Sequence, residues 1–384
     1  MNKVLQLKIM CNDQINIIGK ACLRIVLTFL MFCSFQYVSY STHLVGGQLS
    51  YKCLGNGFYE IRLVVRRDCL NGADTVFFDN PAVIGAFYGD GQKAFRVGID
   101  GVFDMDYVKN DTLKEKVDNF CVGKNQEVCV HEAIYTKRIF LPFDERGYIL
   151  AYQRCCRNTS LSNVVDPLET GTTYAIKFSA IDLLSCNSNP QFGNFPPIYV
   201  CVNKPFVFDH SATDVDGDSL VYMLCKPNLG KTRLTPAGRP NSPPYDSVVF
   251  KSPYNLDDLM NGGSGGVPLK IDPVTGVLTA NPNTLGQFLV GVCVLEYRNG
   301  KLLSYATRDF ELNIVPCGIT PVASFVKNSS LCDGFDQKFT STSKDANNYQ
   351  WFFDFINDRN LKSNDQNPSF RYSKSGNYEV VLVV

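Results

Sequence analysis

Beyond residue 41 this 384-residue chain keeps the two-residue period of β-strands almost throughout, and that rhythm limits its fold more than any single motif. Residues 58–67 show it most clearly. Tyr59, Ile61, Leu63 and Val65 share one face, and Glu60, Arg62 and Arg66 share the other, as in a strand with one side in a core. Further strands are expected at 49–54, 128–141, 147–152 and 173–179. Phe288, Val290, Val292 and Val294 give one apolar face to a later strand, and Tyr378, Val380, Leu382 and Val384 do the same at the chain's end. Gly55-Asn56-Gly57 and Asn299-Gly300 supply hairpin turns. No sustained helical period is present, and residues 113–120 are the one weak helical candidate. The expected class is all-β, built as tandem β-sandwich domains.

Cysteine usage points to where such a chain works. Of 15 cysteines, Cys11, Cys22 and Cys33 lie in or before an N-terminal apolar segment. Lys20 and Arg24 precede the apolar run 25–35, and Ser39-Tyr40-Ser41 offers small residues for cleavage, so residues 1–41 are expected to be an export signal. That run is shorter than the roughly 20 apolar residues of a membrane span, so no transmembrane span is expected. The remaining cysteines are Cys53, Cys69, Cys121, Cys129, Cys155, Cys156, Cys186, Cys201, Cys225, Cys293, Cys317 and Cys332. An even set in an exported chain implies disulfides. Zinc is disfavoured, because there is no Cys-x-x-Cys knuckle and there are only 3 histidines. Neighbours on a strand face opposite ways, so Cys155 and Cys156 are expected to bond to different partners.

Charge and catalytic residues narrow the function. Lys plus Arg (37) balances Asp plus Glu (37), which argues against nucleic acid as a partner and gives no attraction to anionic lipid. His43, His131 and His210 are the only imidazoles, and none lies beside a nucleophile elbow. Gly262-Gly263-Ser264-Gly265-Gly266 has the elbow's spelling without its strand-to-helix setting, and reads as a flexible tip. The chain is therefore not expected to be an enzyme.

One segment carries chemistry. Thr213-Asp214-Val215-Asp216-Gly217-Asp218 packs three acids into a turn and runs into the apolar strand Ser219-Leu220-Val221-Tyr222. Carboxylates this close repel one another unless a cation lies among them, and oxygen ligands suit calcium. Asp214, Asp216 and Asp218 are the expected calcium ligands, with Asp209 and Asp272 as further candidates. The turn is not an EF-hand: Gly217 falls between the second and third acids, and no helix flanks it.

Two boundaries are expected. Residues 187–197 crowd Asn, Pro, Gly and Phe without periodicity, and Pro316-Cys317-Gly318 marks a second break. They divide an N-terminal β-rich domain (42–190), a middle sandwich (198–316) and a third unit (317–384). The chain stops on an apolar strand, which reads as a longer protein cut short.

Three sets of motifs resemble known families. The acidic turn, with Asp272-Pro273-Val274-Thr275-Gly276-Val277-Leu278 downstream, is similar to cadherin-like bacterial repeats, which implies a cadherin-like middle domain. Trp351-Phe352-Phe353-Asp354-Phe355, Asn367-Pro368-Ser369-Phe370 and Gly376-Asn377-Tyr378-Glu379-Val380 resemble the polycystic-kidney-disease (PKD) domain, an immunoglobulin-like sandwich. Phe352 and Phe353 displace that family's usual acid, and Trp351 is expected in the core. Finally, His43-Leu44-Val45-Gly46-Gly47-Gln48, Arg67-Asp68-Cys69, Gln153-Arg154-Cys155-Cys156-Arg157-Asn158, Asp209-His210-Ser211-Ala212-Thr213 and Arg308-Asp309-Phe310 resemble the N-terminal region of large Bacteroidetes surface proteins. Those proteins carry PKD repeats and often end in a gliding-motility-associated domain with a type IX sorting signal.

The resemblance implies a secreted or outer-membrane cell-surface protein, with outer-membrane association through a C-terminal part missing from this chain. The expected role is a non-catalytic module for adhesion or spacing, linked to gliding motility, with cell-surface proteins or glycans as partners. The alternative is a carbohydrate-binding or accessory region of an exported glycan-degrading enzyme.

Overall fold

A computed structural model describes residues 43–69, 77–113, 129–317, 321–327 and 334–384. The expected export signal, Cys121 and Cys332 lie outside these residues, as do positions 114–120 of the weak helical candidate.

The described chain is almost entirely β. The first hairpin joins β1 (Leu44–Gly55) to β2 (Phe58–Asp68) through Asn56 and Gly57, both at positive φ. Strands β3 (Ala82–Tyr88), β4 (Val102–Met105), β5 (Tyr107–Leu113), β6 (Val130–Phe140), β7 (Tyr148–Arg154) and β8 (Thr172–Phe178) follow. Residues 180–185 then form α1 (Ala180–Ser185), too short to show a period. Its signal is a capping box: the Ser179 hydroxyl accepts from the Asp182 N–H, and Asp182 accepts from the Ser179 N–H. The next strands are β9 (Gln191–Phe192), β10 (Tyr199–Cys201), β11 (Phe206–Asp209), β12 (Ala212–Thr213), β13 (Ser219–Leu224), β14 (Val267–Ile271), β15 (Val277–Asn281), β16 (Gly286–Arg298) and β17 (Lys301–Val315). The Asn299-Gly300 turn closes the β16–β17 hairpin as expected, again with both residues at positive φ.

The sheets are arranged as one wall backing two cores. The large sheet runs β13-β16-β17-β1-β2-β6-β5, with β10 added parallel to β17. A four-stranded sheet, β4-β3-β7-β8, closes the first core around Tyr51, Ile61, Leu63, Ile84, Leu150 and Phe178. A three-stranded sheet, β11-β15-β14, closes the second around Phe206, Leu278, Phe288, Val290, Val292 and Leu312. The expected boundary at 187–197 therefore separates two cores but not two sheets. Its first residues are no exposed linker: Asn187, Ser188 and Asn189 are buried. Asn189 and Ser188 accept the backbone N–H groups of Tyr51 and Cys53 on β1.

The shared wall depends on a glycine pair. β1 pairs with β17 only over Gly46, Gly47 and Gln48. A Cβ on Gly46 would lie 2.6 Å from the Asp309 carbonyl oxygen, and one on Gly47 2.4 Å from that of Val64. Only residues without side chains let three backbones approach this closely.

Beyond Cys317, β18 (Phe325–Lys327), β19 (Asp336–Ser341) and β22 (Ser369–Arg371) form one sheet, and β20 (Gln350–Phe352), β21 (Lys362–Ser363) and β23 (Val381–Val383) another. They enclose a separate small core of Phe339, Trp351, Phe353, Tyr372 and Leu382. Trp351 is fully buried, as expected, and its Nε1 donates to the Asp365 carbonyl at 2.9 Å.

Five disulfides cross-link the described residues: Cys53–Cys186, Cys69–Cys129, Cys155–Cys156, Cys201–Cys317 and Cys225–Cys293. They mark a chain built for an oxidising, non-cytoplasmic compartment. The Cys155–Cys156 bond corrects the expectation of separate partners. Strand alternation does not govern these residues, because β7 ends at Arg154. Among the described residues, no helix is long and apolar enough to cross a membrane.

Candidate metal centre

The acidic turn is folded by its own first residue. Asp214 Oδ1 accepts the backbone N–H groups of Asp216 and Asp218, each at 2.9 Å, and Gly217 takes the positive φ that the turn requires. Asp214 Oδ2 is shut off from solvent and has no hydrogen-bond partner. Residue 218 then leads into β13, which pairs with β16 and places Leu220 opposite Glu296. The carboxylates of Asp214, Asp218 and Glu296 come within 4.8 Å of one another.

Glu296 belongs to this group although only the aspartates were expected. It is fully buried, and accepts from Asn187 Nδ2 at 2.9 and 3.1 Å and from the Ser304 hydroxyl. Burial pushes its carboxyl up to about 8; neighbouring Asp218 and Asp214 add to the rise, while Ser304 and Asn187 oppose it. Its partner Asp218 is held below the usual carboxylate range by Arg298, whose Nε donates to Oδ1 at 2.8 Å. Burial raises Asp214. The site thus gathers three carboxyl groups against one guanidinium, and Glu296, with its pKa at about 8, would give up its proton to a hard cation bound there.

The other expected ligands sit elsewhere. Asp216 turns away from the group and accepts the Ser188 N–H at 2.7 Å, docking the turn onto the segment that follows α1. Asp209 is exposed and caps Ser211, and Asp272 is exposed and accepts the N–H groups of Val274 and Thr275. Asp209 and Asp272 each fold a local turn, and neither they nor Asp216 join the group of Asp214, Asp218 and Glu296. Glu296 had a sequence signal: it continues the inward period set by Phe288, Val290, Val292 and Val294.

His210 lies one residue from Asp209 but faces the second core. The rings of Phe192, Phe208 and Phe310 surround it at 5.1, 5.9 and 5.2 Å, and neither ring nitrogen has a hydrogen-bond partner. Burial, with Arg308 adding to it, lowers its pKa from 6.5 to about 3. The unfolded chain takes up this proton below about pH 6.5 and the folded chain does not until about pH 3, so stability falls as pH drops through that window. Between pH 7 and pH 5 the loss should be about 2 kcal/mol. His210→Leu should shrink the difference between urea unfolding free energies at those two pH values by that amount. An unchanged difference would mean that another group sets the acid limb.

His43 Nδ1 contacts Asn158 Oδ1 at 2.6 Å, and His131 lies within β6. Ser264 bonds to Asn261, Asn283 and Thr284 in a turn that leads into a strand, not a helix.

Strings far apart in sequence meet at the seam of the two cores. Arg157, fully buried, pairs with Asp309 of β17, which also accepts the Tyr174 hydroxyl at 2.9 Å and that of Thr172 at 3.2 Å. Asn158 Nδ2 donates to both Asp68 and Glu311 at 3.1 Å. In the C-terminal unit, a cleft of about 590 Å³ is lined by Phe335, Gln337, Tyr372, Lys374, Asn377 and Tyr378 among others. No family model matches this chain, and no curated protein matches it significantly.

Proposed function

We propose that this chain is a non-catalytic, exported cell-surface module whose role is mechanical: adhesion to cell-surface proteins or glycans, or spacing, with a bound calcium ion stiffening it. The observation that carries the reading is the convergence of Asp214, Asp218 and Glu296 around an Asp214 oxygen with no donor of its own. The ligand set is all oxygen, as calcium prefers, and the disulfides fit a secreted or outer-membrane setting. The cadherin-like and PKD resemblances, and the likeness to type IX-secreted gliding-motility proteins, agree with this role and add the link to motility.

Calcium that binds only the folded chain stabilises it by mass action. Sites in extracellular modules bind at about 0.1–1 mM, so about 10 mM calcium should add about 1–3 kcal/mol to the unfolding free energy. Asp214→Asn should remove the part of that gain that this site supplies, while leaving the calcium-free stability nearly unchanged. Titration calorimetry on the secreted chain that gives no heat at millimolar calcium would remove the claim.

The second reading, a carbohydrate-binding or accessory region of an exported glycan-degrading enzyme, draws support from the C-terminal cleft. Its aromatic rings and amide side chains are the groups that hold sugars. A glycan array separates the two readings: specific binding that is lost in Tyr378→Ala favours the second, and calcium-dependent rigidity without sugar binding favours the first.

A further inference from the structure

Strand β6 outruns one of its neighbours. It pairs with β2 along its whole length, from Val130 to Phe140, but β5 covers its other side only as far as Tyr107 opposite Tyr135. The Leu141 N–H donates to the Gly57 carbonyl at 2.9 Å, which carries the β2–β6 register one step past Phe58 opposite Phe140. Bonded and non-bonded pairs alternate along an antiparallel ladder, so Arg138 and Phe140 point their N–H and C=O groups away from β2. No strand among the described residues pairs with them on that side, and both residues are exposed.

The open edge faces a groove of about 470 Å³, lined by Ile99, Val102, Phe103, Lys137, Ile139 and Phe140 among others. Ile99 is 87% exposed and Phe140 51%. Lys137 Nζ donates to the Asp104 carbonyl of β4 at 2.6 Å, so the far wall also turns a main-chain acceptor towards this side. Main-chain donors and acceptors at strand spacing, flanked by apolar side chains, match an extended polypeptide. Neither nearby internal segment outside the described residues can supply it. The 15 residues between Leu113 and Cys129 leave and rejoin beside Val130. A path from there to Phe140 and back is about 65 Å, against about 55 Å for that many extended residues. Residues 70–76 start from the same end and are fewer. A second copy offers its β6 edge only with its own β4 and Ile99 turn alongside, which bars it from the groove.

We propose that this groove binds an extended segment of another polypeptide, which adds as a strand to the free end of β6. Apolar residues at every second position of that segment pack on Ile99, Phe103 and Ile139, and an acidic residue on its other face meets Arg138. The proposal takes its biological role from the adhesion reading and narrows it to a protein partner. It uses none of the acidic-turn residues, so calcium binding and peptide binding can fail separately.

Fluorescence anisotropy on the full secreted chain tests this with labelled peptides about nine residues long, in which Val or Ile alternates with Thr and one Glu. Within a panel varied at the apolar positions, at least one peptide should bind, with or without calcium, and should slow exchange of the Arg138 and Phe140 amide protons. Methylating alternate peptide nitrogens should weaken binding about tenfold, because bonds to β6 are lost. Ile99→Lys, at a side chain too exposed to matter to folding, should weaken it as well. The proposal is overturned by a panel in which nothing binds at about 1 mM, by binding that leaves both amides exchanging freely, or by unchanged affinity in Ile99→Lys. Self-association that Ile99→Lys dissolves would put a second copy in the groove and overturn it too.

Discussion

Replacing Arg157 with Met should cost about 3–5 kcal/mol of unfolding free energy, because it strands the Asp309 charge in the interior. Asp309 would keep the hydroxyls of Tyr174 and Thr172 but lose the Arg157 guanidinium, in a setting where neither residue of the pair is more than 5% exposed at its side chain. Most of that cost reflects the unpaired charge, not the worth of the pair. Arg157→Met combined with Asp309→Asn keeps an acceptor for Tyr174 and removes the charge, so the double variant should be more stable than Arg157→Met alone. Urea unfolding at fixed calcium measures both. A single-variant loss below about 1 kcal/mol would mean that the pair behaves as a solvated one.

Removing the Cys53–Cys186 bond by a paired change to Ala should cost about 5 kcal/mol on the chain-entropy scale, since the bond closes a loop across a separation of 133 residues. A second consequence follows from position. Cys186 precedes Asn187 and Ser188, which bond to Glu296 and to Asp216 of the acidic turn. Loosening this segment should therefore weaken the proposed calcium site and open residues 187–191 to protease. An unfolding midpoint and cleavage pattern matching wild type would show that packing alone holds the segment.

These two effects locate what held the fold's details back from the sequence. The β class, the two hairpin turns and the inward face of Phe288, Val290, Val292 and Val294 were all legible, because a strand's period and an Asn-Gly turn are local. The acidic turn was legible as a turn for the same reason. The carboxylate group it joins was not, since Glu296 reaches it through the β13–β16 pairing, and Asp216, Asp209 and Asp272 bond to other backbone groups. The strand rule misled at Cys155 and Cys156 because it was carried past the end of β7.

Residue type and short spacing were enough to specify a chain of β-sheets with disulfides and a carboxylate-rich turn. Tertiary structure alone decided that two cores share one wall. That arrangement rests on Gly46 and Gly47 admitting β17 beside β1, a contact between residues some 260 positions apart. The same closure brings Asp68, Asn158 and Glu311 together, and partners so distant have no common period from which they could be read.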